Sequence, residues 1–176
     1  MRYIRLFIKT LLRLVLKPLS FLPAIVVMYC ILNFSGQSGV DSAQLSYKVT
    51  EKLVVIVSDI TDKNLNAEEI NIYTEKYHYY VRKLAHFTEY MILAISVAFP
   101  LYVYGMRGIW LMIFAGGFCV GFACLDEYRQ SFSLGRTPSK KDVMIDSLGV
   151  FVGILITRII GFIGRKTIFA PLARRR

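Results

Sequence analysis

An all-α integral membrane bundle of four transmembrane helices, with an N-terminal interfacial helix and outer amphipathic helices, is the fold this sequence predicts. Three observations carry that prediction. Hydrophobic residues make up 55% of the chain and the mean hydropathy is +0.49, above the range of ordinary soluble domains. Four apolar runs approach the roughly 20 residues a helix needs to cross a hydrocarbon core about 30 Å thick. Basic residues without acidic neighbours crowd both ends of the chain, as they do on the cytoplasmic flanks of membrane helices. The 176 residues suit one domain over 1–176.

The elements follow in chain order. Arg2, Arg5, Lys9, Arg13 and Lys17 recur every three or four residues, with Ile4, Phe7, Ile8, Leu11, Leu12 and Val15 between them. That spacing predicts a basic amphipathic helix lying in the membrane interface and ending near Pro18. No small-x-small cleavage site follows convincingly, which argues against a secretory signal peptide. The first span covers about 19–34 and carries Pro23 in its first turns, where proline is tolerated. The other spans cover about 84–104, 108–125 and 143–163.

Residues 35–82 form an outer helical segment. Ser35 to Gly39 is a turn-rich exit from the first span. Asp41 or Ser42 is expected to cap a helix whose apolar stripe is Leu45, Val49, Leu53, Ile56 and Ile60. Asp62 to Asn64 breaks it. Asn66 caps the next helix, with Glu68 and Glu69 in its first turn. Ile70, Tyr73, Tyr77, Tyr80, Val81 and Leu84 carry that helix toward the second span, and its tyrosines suit a membrane interface.

An even number of spans places both termini on one side. Twelve basic residues flank that side and no acidic residue does; all twelve acidic residues fall between Asp41 and Asp146, with the other ten basic ones. The prediction is a multi-pass protein with both termini inside. The net charge of +10 then anchors the chain to an anionic leaflet and needs no nucleic acid. Cys30, Cys119 and Cys124 lie in apolar runs without paired spacing, which argues against a disulfide framework or a zinc site.

Polar residues gather at one membrane face. Helical spacing puts Arg82, Lys83, His86, Glu89 and Tyr90 around the outer end of the second span, with His86 and Tyr90 on a shared face. The third span ends in Asp126, Glu127, Tyr128, Arg129 and Gln130. A turn at Gly135-Arg136-Thr137-Pro138 precedes the fourth span, which opens with Asp142 and Asp146 one turn apart. A carboxylate in the membrane costs about 2.5–3.5 kcal/mol at a helix centre, so Glu89 and Asp146 are expected to face the bundle. Asp142 also suits a helix first turn, and Arg82, Lys83 and Arg129 suit snorkelling. Gly117-x-x-x-Gly121 and Gly149-x-x-x-Gly153 predict close helix packing that clamps the helix of Asp126 against that of Asp146.

With these residues in place, the chain resembles the VanZ-like family of bacterial membrane proteins. The resemblance rests on Phe34-Ser35-x-Gln37, Arg82-Lys83-x-x-His86-Phe87-x-x-Tyr90, Asp126-Glu127-x-x-Gln130-x-Phe132, Gly135-Arg136 and Asp142-x-x-x-Asp146-x-x-Gly149. Leu134 stands where the family often has proline. The resemblance implies the bacterial cell membrane and a link to low-level resistance to teicoplanin, a lipid-tailed glycopeptide directed at cell-wall precursors.

Two functional readings follow, and the sequence leaves cofactor, metal and oligomeric state open. In the first, the outer face binds an anionic lipid headgroup, a lipid-linked wall precursor or the lipoglycopeptide, with Lys83, Tyr90, Gln130 and Arg136 as ligand-binding residues. In the second, an outer-leaflet enzyme uses His86 as base or metal ligand, with Glu89, Asp126, Glu127, Asp142 and Asp146 as carboxylates. No Gly-x-Ser-x-Gly, P-loop or His-Glu-x-x-His motif supports the enzyme. Four short spans without an inverted repeat make a poor solo transporter, though an oligomer would suffice.

Overall fold

A computed structural model describes residues 17–133, 135–136 and 139–166. The predicted N-terminal helix before Lys17, the basic tail after Lys166, and Leu134, Thr137 and Pro138 lie outside the described residues. The helices are α1 (Leu22–Ser35), α2 (Gly39–Ile60), α3 (Ala67–Val103), α4 (Gly108–Leu111), a π-helical turn (Met112–Gly116), α5 (Gly117–Gln130) and α6 (Lys140–Lys166). No strand occurs among the described residues. Four helical stretches are long and apolar enough to cross a membrane: Lys17–Ser35, Ala67–Val103, Gly108–Gln130 and Lys140–Gly164.

Local chemistry sets the boundaries. The Ser38 hydroxyl caps α2 by accepting from the Asp41 amide at 3.1 Å. The cap therefore falls earlier than the expected Asp41 or Ser42, because Asp41 sits in the first turn, where its charge favours the helix dipole. Asp62 and Asn64 turn the chain at positive φ, 52° and 41°, a conformation Asp and Asn tolerate better than most residues. Asn66 and Glu69 form a reciprocal capping box at the start of α3. From there α3 runs 37 residues without a break, roughly 55 Å at helical rise. It joins the segment predicted to lie outside to the second span as one rod. Gly105 and Gly108 supply the positive-φ turn into the third span.

The α2–α3 seam is lined by small polar residues. Leu45, Val49, Leu53, Ile56 and Ile60 are exposed, whereas Thr50 and Ser58 of α2 and Thr74 of α3 are buried. Small side chains let the helices approach, and the Thr50 and Thr74 hydroxyls are satisfied by carbonyls one turn back. Most of the apolar stripe of α2 stays exposed, while Leu45 and Leu53 border recesses between α2 and α3.

The core lies among the spans. Tyr90, Leu93, Ala94, Val97 and Ala98 of α3 meet Val150 and Ile154 of α6, with Leu111, Ala115, Cys119 and Ala123 closing the third side. Large apolar residues such as Phe99, Phe118, Leu125 and Leu148 point outward, as expected when lipid is the solvent. Cys119 is buried, while Cys30 and Cys124 are exposed.

The glycine pairs do not clamp the helices expected. A Cβ on Gly149 would collide with the Phe87 carbonyl and one on Gly153 with the Met91 carbonyl, while Gly117 and Gly121 have nothing nearby. The close approach thus joins α6 to α3, the helix of His86, Glu89 and Tyr90. The α3 backbone itself comes this close at Phe87 and Met91, which only positions of α6 without side chains allow.

Candidate functional site

Each span brings one end to a common layer. The C-terminus of α1 meets α5 and the middle of α3, and the start of α6 joins α3 there through Lys83 and Asp142. Between α1, α2, α3 and the loop before α6 lies a cleft of about 190 Å³. Phe34, Ser35 and Gln37 form one wall, Ser42, Leu45 and Ser46 of α2 another, and Arg82, Ala85, His86 and Glu89 of α3 a third, with Arg136 reaching in from the loop.

Behind the cleft, Asp126 organises the layer. Its carboxylate, 3% exposed, accepts from Ser35 Oγ at 2.5 Å, Gln130 Nε2 at 3.0 Å and Tyr90 OH at 3.4 Å. These donors come from α1, α5 and α3, so one carboxylate ties three spans together. Hydrogen bonds to a charged acceptor are the stronger kind. Gln130 passes the link on by accepting from Arg136 Nη1 at 2.6 Å. Arg129 adds a tie by donating to the Leu32 carbonyl at 2.6 Å.

Arg136 is seated by backbone rather than charge. A Cβ on Gly39 would strike the Gly135 carbonyl, and Gly135 itself has φ +74°. Two glycines therefore allow the loop to lie on the start of α2 and hold Arg136 over the cleft. Its Nε is buried without a hydrogen-bond partner among the described residues. Burial, then the charge of Arg82, push its pKa below the ordinary arginine value, against the pull of Asp126, Glu127 and Asp142.

The other predicted residues divide between the cleft and its supports. His86 and Glu89 line the cleft together, with Nδ1 and Oε2 4.0 Å apart. Tyr90 and Gln130 stand behind it as partners of Asp126. Glu127 accepts from the Ser139 amide at 2.5 Å, fixing the loop to α5. Lys83 lies outside the cleft lining, paired with Asp142 and 5.2 Å above the Tyr79 ring. Asp146 is buried, within reach of Asp142, Asp126, Glu127 and Glu89, and its Oδ1 has no partner among the described residues. No three His, Cys, Asp or Glu side chains among the described residues are grouped to hold a metal ion.

Three contributors escaped the sequence reading. Arg82, read as a snorkelling cation, lines the cleft, while its neighbour Lys83 does not. Ser35 and Gln37, read only as a turn and as part of the family resemblance, supply a donor to Asp126 and a polar wall. The signal for Arg82 was available in helical phase, since residue 82 shares a face with both 86 and 89, whereas residue 83 neighbours only 86.

No curated protein and no solved structure matches the chain. The model of the VanZ/LLP1 family matches residues 20–161, which include every residue of the cleft and of its supports. This multi-span membrane protein belongs to the VanZ/LLP1 family.

Proposed function

We propose that the cleft binds the anionic headgroup of an amphiphile at the outer face of the cell membrane, with both termini inside. The ligand class comprises a membrane lipid, a lipid-linked wall precursor or a lipoglycopeptide. One observation carries the reading: two arginines, Arg82 and Arg136, meet in a cleft where neither has an ion pair among the described residues, and the buried Nε of Arg136 has no hydrogen-bond partner there. A guanidinium has five donors that suit phosphate and carboxylate oxygens. Gln37, Ser42 and Ser46 add hydrogen-bonding groups, and Phe34 and Leu45 give the cleft an apolar side. The family's association with glycopeptide resistance suits a protein that engages an envelope amphiphile.

The test measures binding of phosphatidylglycerol, a polyprenyl diphosphate and teicoplanin to the purified full chain. Arg136→Ala is expected to weaken the true ligand roughly tenfold or more, the scale of a lost charge-assisted contact. In cells carrying this protein, the same substitution is expected to change teicoplanin susceptibility. Unchanged binding of all three probes together with unchanged susceptibility would remove the reading.

A second reading, an outer-leaflet enzyme, draws on His86 and Glu89 facing the same cleft. There His86 would take a proton from an attacking water while the arginines neutralise a phosphate. Turnover of a lipid-linked phosphate ester that His86→Gln abolishes would favour it. Binding without turnover leaves the first.

A further inference from the structure

The opposite end of the bundle carries a second cationic site. The N-terminus of α1 meets the end of α3 there: Ser20 Oγ and Tyr104 OH are 2.7 Å apart, and Tyr104 OH donates to the Lys17 carbonyl at 3.1 Å. Beside this junction, between the end of α3, the start of the third span and the last turns of α6, runs a groove of about 440 Å³. Arg107 and Arg158 both line it, together with Tyr102, Leu155 and Ile159.

Neither arginine has a carboxylate partner among the described residues. No acidic residue follows Asp146 or lies between Glu89 and Asp126, and neither arginine makes an ion pair among the described residues. The Arg107 guanidinium sits 5.5 Å from the Tyr102 ring centroid, and among the described residues Arg158 Nη1 has only the Met112 thioether sulfur, 3.4 Å away. A thioether is a weak acceptor. Tyr102 is held by close packing, because a Cβ on Gly161 would run into its ring. The groove wall is therefore built, and its two forks have donors to spare.

We propose that this groove is a binding site for an anionic phospholipid, with the phosphate between Arg107 and Arg158 and an acyl chain along Leu155 and Ile159. Charge and shape choose this occupant. Two guanidiniums at an interface call for an anion, and the aliphatic flank continuous with them calls for a chain on the same molecule. Free phosphate would use only the first half of the groove. The site is separate from the cleft at the other end, and neither proposal rests on the other.

Trp110, the sole tryptophan, is exposed and lines the neighbouring recess that also contains Arg107. It reports on this site directly. The full chain is reconstituted in phosphatidylcholine nanodiscs doped with either brominated phosphatidylglycerol or brominated phosphatidylcholine at equal mole fraction, and Trp110 quenching is titrated. Brominated phosphatidylglycerol is expected to quench at roughly tenfold lower mole fraction, the scale of two arginines at an anionic surface. Arg107→Gln with Arg158→Gln is expected to erase the preference. Arg107→Lys with Arg158→Lys retains most of it and reports that the fold survives substitution at these positions. Gly161→Val, which drives Tyr102 out of place without changing charge, is expected to reduce it. Lys76→Gln, far along α3, leaves it intact. Equal quenching by the two lipids in the unsubstituted chain, or a preference that persists in the double glutamine variant, overturns the proposal.

Discussion

At one end of the bundle, arginines share their surroundings with Glu89, Asp126, Glu127, Asp142 and Asp146; at the other, Lys17, Arg107 and Arg158 have aromatic rings and a thioether for company. The same residue type does different work in the two places. Where carboxylates are present, charge is spent on joining helices: Asp126 collects donors from three spans, and Lys83 pairs with Asp142 between α3 and α6. Where carboxylates are absent, the cations have no ion-pair partner among the described residues. The polar cleft is the exception within the first end, since Arg82 and Arg136 escape the pairing around them. That escape separates a candidate site from internal stitching.

The largest effect is expected at the stitching. Asp126→Ala strands Ser35, Tyr90 and Gln130, and a buried group left unpaired costs about 1–3 kcal/mol. A loss of about 3 kcal/mol is expected in a detergent unfolding titration. Asp146→Asn, in the same layer, should be neutral or stabilising by up to about 1 kcal/mol, because its carboxylate has an unpartnered oxygen and acidic neighbours. Equal losses from the two substitutions would break the distinction between them.

A middle-sized effect tests the seating of Arg136. Gly39→Val pushes the Gly135 carbonyl away and should weaken headgroup binding by roughly tenfold, about 1.4 kcal/mol, though no polar group is removed. Binding that survives this substitution but not Arg136→Ala would mean the arginine finds its ligand without the backbone contact. The smallest effect is expected at Lys83→Gln. Its pair with Asp142 keeps about a fifth of each side chain exposed, and glutamine at 83 can still donate to the carboxylate, so a loss of about 1 kcal/mol is expected. Stability should fall only slightly and cleft binding should be retained. A large loss of binding would move Lys83 into the site and Arg82 out of it.

The helical phase of the second span made much of the site legible. His86, Glu89 and Tyr90 fall on neighbouring positions of one helix, and Asp126 with Gln130 does the same on another. What periodicity could not give was the partner of each residue. Asp126 and Asp146 look alike in sequence, each an acid near the end of an apolar run. Only packing makes one a satisfied hub and leaves the other with an orphaned oxygen. The α2 stripe teaches the same point: its spacing marks an apolar face, but the seam with α3 is made by Thr50, Ser58 and Thr74. Glycine pairs likewise announce a close approach without naming the helix that approaches.

By itself, the sequence determined the membrane, the four spans and the gathering of polar residues at one end. Those follow from hydrophobic length and helical period, which are properties of a segment alone. The three-dimensional structure decided which cations are spent on carboxylates and which have no ion pair among the described residues, and that the loop of Arg136 rests on Gly39. Those depend on atoms far apart in the chain coming within hydrogen-bond reach, and a one-dimensional pattern does not encode such distances.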